Sequence, residues 1–153
     1  MALRRIRWTL RGEVDLREVA REASQKAAAG CEIELLVDDA PVSGVWDRQR
    51  LLTAVTALIA NACKFGHGRL VTVEVHRRAG LAEVSVLDRG PGIPPEQREQ
   101  IFGKFVRGVS QRSWGGLGLG LFAARRIAEL HGGSLGLDPG PDGGSRFTVR
   151  LPA

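Results

Sequence analysis

Apolar residues recur at helical spacing in three stretches of the chain and alternate with polar ones in several others. Leu16, Val19, Ala20, Ala23 and Ala27 share one helical face. Asp15 stands where a helix cap belongs, with Glu18 three residues on, and Gly30 is placed to end the helix. A longer stripe of Leu51, Leu52, Val55, Leu58, Ile59 and Ala62 predicts a second helix from an Asp47 cap to Lys64. Leu117 to His131 is a third, closed by Gly132 and Gly133. Residues 31–37 alternate Ile33, Leu35 and Val37 with Glu32 and Glu34 and read as a strand. A short strand is expected near Val45 and Trp46. A hairpin of 70–76 and 81–87 turns at Arg78-Ala79-Gly80, and two last strands fall near 134–137 and 145–151. Pro95 suits the first position of a short helix over 95–102. Residues 103–116 carry no sustained apolar period.

The order contains hairpins as well as helical crossovers, so the sheet must be mixed. An α/β, two-layer sandwich follows, with one mixed β-sheet covered on one face by about three helices.

Composition narrows the function classes. The chain has 153 residues, 43% hydrophobic and 25% charged, which suits one globular domain. No apolar run approaches the length of a membrane helix, and the start lacks a signal-peptide core. Two cysteines, Cys31 and Cys63, are too few for a disulfide framework or a zinc site. They read as reduced thiols of a cytoplasmic protein. The net charge of +5 is concentrated partly at Arg4, Arg5, Arg7 and Arg11. Tyr is absent and aromatics are few, so a stacking surface for nucleic acid is not expected. A mildly basic chain suits an anionic small ligand instead. Glycines cluster between Gly103 and Gly120, as where backbone approaches a ligand or a loop moves.

Three stretches carry chemistry. Ala57, Asn61 and Lys64 lie on one side of the second helix, off its apolar stripe. An amide oxygen there suits Mg²⁺, and Lys64 suits a phosphate; a plain polar helix edge is the alternative. Asp88-Arg-Gly90-Pro-Gly92-Ile93 follows a strand. Its carboxylate can accept from an exocyclic amine while the glycines let a flat ring lie close; an ordinary Asp-Gly turn is the alternative. Gly115-Gly116-Leu117-Gly118-Leu119-Gly120 opens a helix and offers unpaired N–H groups to a phosphate, or else is a hinge. Neither a P-loop nor a G-x-G-x-x-G after a first strand is present.

Taken together, in order and spacing, these stretches resemble the N, G1 and G2 boxes of the Bergerat-type ATP-binding superfamily. The resemblance is nearest to the catalytic ATP-binding domain of sensor histidine kinases. Ile101-Phe102-Gly-Lys-Phe105-Val-Arg107 is similar to that branch's F box. His131-Gly-Gly resembles the end of its last helix, and Gly144-Ser-Arg-Phe147 its terminal strand. It spans residues 13–152.

The resemblance implies the Bergerat ATP-binding fold and two cofactors, ATP and Mg²⁺. Asp88 would bond the adenine amine; Gly90, Gly92, Ile93 and Phe65 would shape the pocket. Asn61 would hold Mg²⁺. Lys64 and Arg107 would reach phosphates, with Gly116, Leu117, Gly118, Leu119 and Gly120 bringing backbone N–H groups. Residues 94–115 would form a lid pinned by Phe102 and Phe105 and ordered on nucleotide binding. Residues 1–12 would end a linker from a dimerisation domain, and 13–153 would be the catalytic domain. The implied partners are a histidine on that dimerisation domain and a response regulator. Nucleic acid and membrane contact are not expected, and the isolated chain is expected to be a monomer.

Three positions depart from the family. Ala57 replaces an Asn or Glu, so this position supplies neither a metal-binding oxygen nor a general base. Arg146 stands where Thr is frequent, and Trp114 is unusual in a lid. None of His67, His76 and His131 sits in a phosphoacceptor context. Two rival readings are an anti-sigma-type serine kinase of the same fold and a nucleotide-free interaction domain.

Overall fold

A computed structural model describes residues 10–27, 30–102 and 117–153. Its elements are β1 (Arg11–Asp15), α1 (Leu16–Ala27), β2 (Ile33–Val37), β3 (Ser43–Asp47), α2 (Arg48–Phe65), β4 (Val71–Arg78), β5 (Leu81–Asp88), α3 (Leu117–Leu130), β6 (Ser134–Pro139) and β7 (Ser145–Pro152). The expected helix over 95–102 is instead two short 3-10 turns, Pro95–Gln97 and Gln100–Phe102.

Five strands form one sheet in the order β2-β4-β5-β7-β6. Only the β2–β4 pairing is parallel, so the sheet is mixed. Strand alternation sorts its two faces. Val71, Val73, Val75, Ala82, Val84, Val86, Phe147 and Val149 are buried in one core with the apolar stripes of the helices. The opposite face is polar and is knit by pairs directly across the strands. His76 meets Glu83 at 3.0 Å, Glu83 meets Arg150 at 3.0 Å, and Ser85 meets Thr148 at 2.9 Å. Arg146 reaches past β5 to Glu74 at 3.1 Å. That ion pair is the physical account of an arginine for which the sequence offered none.

β1 and β3 form a separate antiparallel pair that the sequence pattern only half revealed. Trp46 anchors it. Its indole is buried and its Nε1–H donates to the Pro152 carbonyl at 3.2 Å.

The start of α2 is held from three sides. The Asp47 carboxylate accepts the Arg50 N–H at 3.1 Å, as a helix cap should, and the Leu10 N–H at 3.0 Å. The Asp47 N–H donates to His131 Nε2 at 3.0 Å, while His131 Nδ1 lies 2.7 Å from the Ile127 carbonyl. This network assigns the neutral Nδ1–H tautomer to His131, a buried strut between α2 and the end of α3. Burial works against the charge of Asp47. The N–H groups of Arg50 and Leu10 and the Arg50 guanidinium outweigh it and hold the carboxyl below its usual range.

The expectation of two reduced thiols is corrected here: Cys31 and Cys63 form a disulfide, with Cα atoms 5.7 Å apart. Counting cysteines misses this because the pairing is made by topology. The loop leaving α2 enters β4 at Val71, whose N–H bonds the Glu32 carbonyl at 3.0 Å. That bond lays Cys31 beside the last turn of α2.

Asp47→Ala is expected to cost about 1–2 kcal/mol at neutral pH. A depressed carboxylate stabilises above its unfolded pKa and loses that contribution as pH falls through its folded one. The cost should therefore narrow in acid, below the usual carboxylate range; urea unfolding across pH checks this. Reducing the disulfide should lower stability by about 2–4 kcal/mol. An unfolding midpoint insensitive to reductant would contradict it.

Candidate functional site

Asp88 is the last residue of β5 and points to the helix side of the sheet, where it is buried. Its Oδ1 accepts the Gly90 N–H at 2.9 Å. This bond turns the chain back toward α2. Burial pushes its carboxyl above the usual range; N–H donors from Gly90 and Ser145 and the nearby His67 pull it back only in part.

Two glycines make the turn possible. A side chain on Gly90 would collide with the Phe65 carbonyl at the end of α2. Gly92 has φ +76 and sits against the Gly143 carbonyl, so it needs both the left-handed backbone and the absence of Cβ. The turn is thereby wedged between the end of α2 and the β6–β7 connection.

Asn61 lies one helical turn before Phe65. Its Nδ2 is buried without a hydrogen-bond partner among the described residues. A buried amide left unpaired costs about 1–3 kcal/mol, which marks a place where a ligand group belongs. Just beyond it runs α3. A Cβ on Gly120 would stand 3.5 Å from Asn61 Nδ2 and 3.8 Å from the Ala57 methyl. Small residues at 57 and 120 thus let the two helices close on the amide.

Asn61, Phe65, Asp88, Ile93 and Phe147 border a recess of roughly 20 Å³, room for a water but not for a ring. Phe65, Gly92 and Ile93 also border a wider cleft of about 610 Å³. His67 and Arg98 stand at its rim, and Ser145 lines both cavities. Sequence reasoning missed these three. Ser145 was within reach of the terminal-strand motif; nothing marked His67, a loop residue with φ 55.

The other expected positions divide. The Lys64 ammonium lies over the Phe65 ring at 5.5 Å from its centroid. Phe102 is buried, packs edge-on against Phe147 at 6.1 Å and lies under the Arg125 guanidinium, 5.3 Å from its centroid. The start of the expected lid is thus tied to a wall of the recess. Leu117, Gly118, Leu119 and Gly120 form the first turn of α3. Phe105, Arg107, Trp114 and Gly116 lie outside the described residues.

Among the described residues, no group of three or more His, Cys, Asp or Glu side chains could hold a metal. The orphaned Asn61 amide, turned to present its oxygen, fits a single-ligand role toward Mg²⁺. Most of that ion's shell would then come from phosphates and water.

Similarity to known proteins agrees with this geometry. Residues 46–153 match the family described as histidine kinase-, DNA gyrase B-, and HSP90-like ATPase. The chain is 38% identical over 149 residues to the sensor-like histidine kinase SenX3 of Mycobacterium tuberculosis (strain ATCC 25618 / H37Rv), covering 92% of this chain and 36% of that one. It therefore spans about a third of that relative's length. The crystal structure of the ATP binding domain of PrrB from Mycobacterium tuberculosis superposes with a TM-score of 0.77 at 29% identity, covering 94% of this chain and 97% of that one. Full-length ShkA in complex with AMPPNP gives a TM-score of 0.82 at 26% identity, over 94% of this chain and 31% of that one. With a buried carboxylate, a glycine turn and an orphaned amide in one recess, the chain belongs to the histidine kinase-, DNA gyrase B- and HSP90-like ATPase family.

Proposed function

We propose that this chain is the ATP-binding catalytic domain of a two-component sensor histidine kinase. It would bind Mg²⁺-ATP and pass the γ-phosphoryl group to a histidine on a separate dimerisation domain. The observation that carries the reading is the shared recess. Asp88, an acceptor, and Asn61, an unpartnered amide, border it together, and the first turn of α3 lies just past the amide. An acceptor for an adenine amine, an amide suited to Mg²⁺ and a helix N-terminus suited to phosphate fall in that order. The names of SenX3 and PrrB support the kinase assignment, and the AMPPNP complex of ShkA supports the nucleotide.

Each residue has a task. Asp88 accepts the exocyclic N–H, and Gly90 and Gly92 let the base lie against backbone. Phe65 and Ile93 must part to admit the ring, since the recess is smaller than a purine. Asn61 would hold Mg²⁺, and that ion would supply charge neutralisation at the phosphates. Lys64 swings from the Phe65 ring toward phosphate, and the N–H groups opening α3 meet the same anion. Catalysis by this chain is positioning and charge neutralisation.

The acceptor is supplied from outside. His131 is buried with both ring nitrogens engaged, and His76 is paired with Glu83 on the far face of the sheet. We assign residues 1–12 to the end of a linker from a dimerisation domain and residues 13–153 to the catalytic domain, with Arg11 and Gly12 already paired in β1. A response regulator would take the phosphoryl group onward. No described helix is long and apolar enough to cross a membrane. We place the domain in the cytoplasm, where ATP is, and expect the isolated chain to be monomeric.

Calorimetric titration with Mg²⁺-ADP and a non-hydrolysable ATP analogue tests the reading. Asp88→Asn should weaken binding about 10- to 100-fold, the worth of a hydrogen bond to a charged acceptor. The same substitution should leave stability equal or higher at neutral pH. A raised carboxyl pKa means the folded state resists the charge, so removing the charge helps above that pKa and does nothing in acid. Absence of binding in the unsubstituted chain would favour a nucleotide-free interaction domain. Ala57→Asn restores an oxygen beside Asn61 and should tighten Mg²⁺-ATP binding about 3- to 10-fold; unchanged affinity would show that Ala57 does not weaken the site.

A further inference from the structure

We propose that Cys31 and Cys63 are a reversible thiol–disulfide site whose oxidation state sets the nucleotide affinity of the cleft, an inference resting on the nucleotide reading above. Its basis is position. Cys63 lies in the last turn of α2, between Asn61 and Phe65, both of which border the recess. The carbonyl of Phe65 is the surface against which Gly90 packs. Whatever moves this turn moves the amide, the ring and the support of the Asp88 loop together.

The backbone bonds that close this turn are short-range in sequence. Helix ends fray unless tied. Here Gly66 N–H closes on the Ala62 carbonyl at 2.8 Å and Arg69 N–H on Gly66 at 3.1 Å, both local bonds. The disulfide is the covalent tie to a distant part of the chain. It fastens the turn to Cys31, at the entrance to β2 on the sheet edge. Both cysteines are only partly buried, so a small thiol reaches them. With two cysteines in the chain, no other intramolecular pairing competes.

The compartment supplies the argument for reversibility. A domain that uses ATP works where thiols are kept reduced, and disulfides found there are usually catalytic or redox-sensing. The exchange needs a low-molecular-weight disulfide as oxidant. One cysteine thiolate attacks a sulfur of that disulfide and expels a thiolate. The second cysteine thiolate then attacks the protein sulfur of the mixed disulfide and expels the other. The two protein thiols lose two electrons and two protons, and the small disulfide becomes two thiols. Reduction by two small thiols runs the same steps backward.

Oxidation should tighten binding, because a stapled turn needs less ordering when the nucleotide arrives. The test is calorimetric titration of Mg²⁺-ADP into the oxidised chain, the chain reduced with excess thiol, and Cys31→Ser, with thiol content checked by mass spectrometry. Reduction of the unsubstituted chain needs no variant to fold. The expected result is affinity weakened about fivefold or more by reduction, as when the competent fraction falls to about a fifth. Cys31→Ser should bind like the reduced chain and ignore reductant. Amide exchange in residues 61–66 should also quicken on reduction. Equal affinity in both redox states overturns this inference and leaves the nucleotide reading standing. Redox sensitivity that persists in Cys31→Ser also overturns it. No binding in either state overturns both.

Discussion

Everything at the site depends on the close contact between the end of α2 and the turn after β5. Gly90 lies directly on the Phe65 carbonyl, with no room for a side chain between them. That contact brings a strand-end carboxylate and a helix-end amide into one recess. It is held from behind by Gly92 against Gly143 and by Gly144 against the Asp88 carbonyl. Three separate stretches of sequence thus meet through backbone rather than through side chains. A methyl group at any of these glycines would push the walls apart.

The recess is built from groups that cost stability. Asp88 is buried with a raised pKa, and Asn61 carries an unpaired buried nitrogen. Several other buried polar groups are paired, although Thr56 Oγ1 has no partner among the described residues. Asp47 caps α2, His131 bridges α2 and α3, and the outer sheet face is laced by Glu83, Arg150, Ser85 and Thr148. A carboxyl with a raised pKa and an unpaired buried nitrogen border one recess, the combination expected of a binding site. The stability lost there is the means by which a nucleotide would be recognised.

The helices and the main strands were legible because their apolar periods are long and agree with their caps and closing glycines. The candidates Asn61, Asp88 and Gly92 could be picked out because motif spacing carries them, and the structure brings all three to one recess. What was not legible depends on contacts across the fold. β1 and β3 are short and glycine-containing, so their alternation is faint until Trp46 is seen to anchor them. The Cys31–Cys63 bond follows from β2 lying beside β4, which no spacing of two cysteines reveals. Arg146 made sense only once Glu74 stood across β5. The narrowness of the recess is likewise a matter of packing: no sequence pattern says how closely Phe65 and Ile93 lie.

The most direct test of this account follows the Asn61 side-chain amide by nuclear magnetic resonance during titration with a non-hydrolysable ATP analogue, with and without Mg²⁺. The account predicts that backbone signals of residues 88–93 shift with nucleotide in either case, while the Asn61 side-chain signals shift strongly only when Mg²⁺ is present. Shifts confined to the outer cleft, with residues 88–93 and Asn61 unmoved, would contradict it.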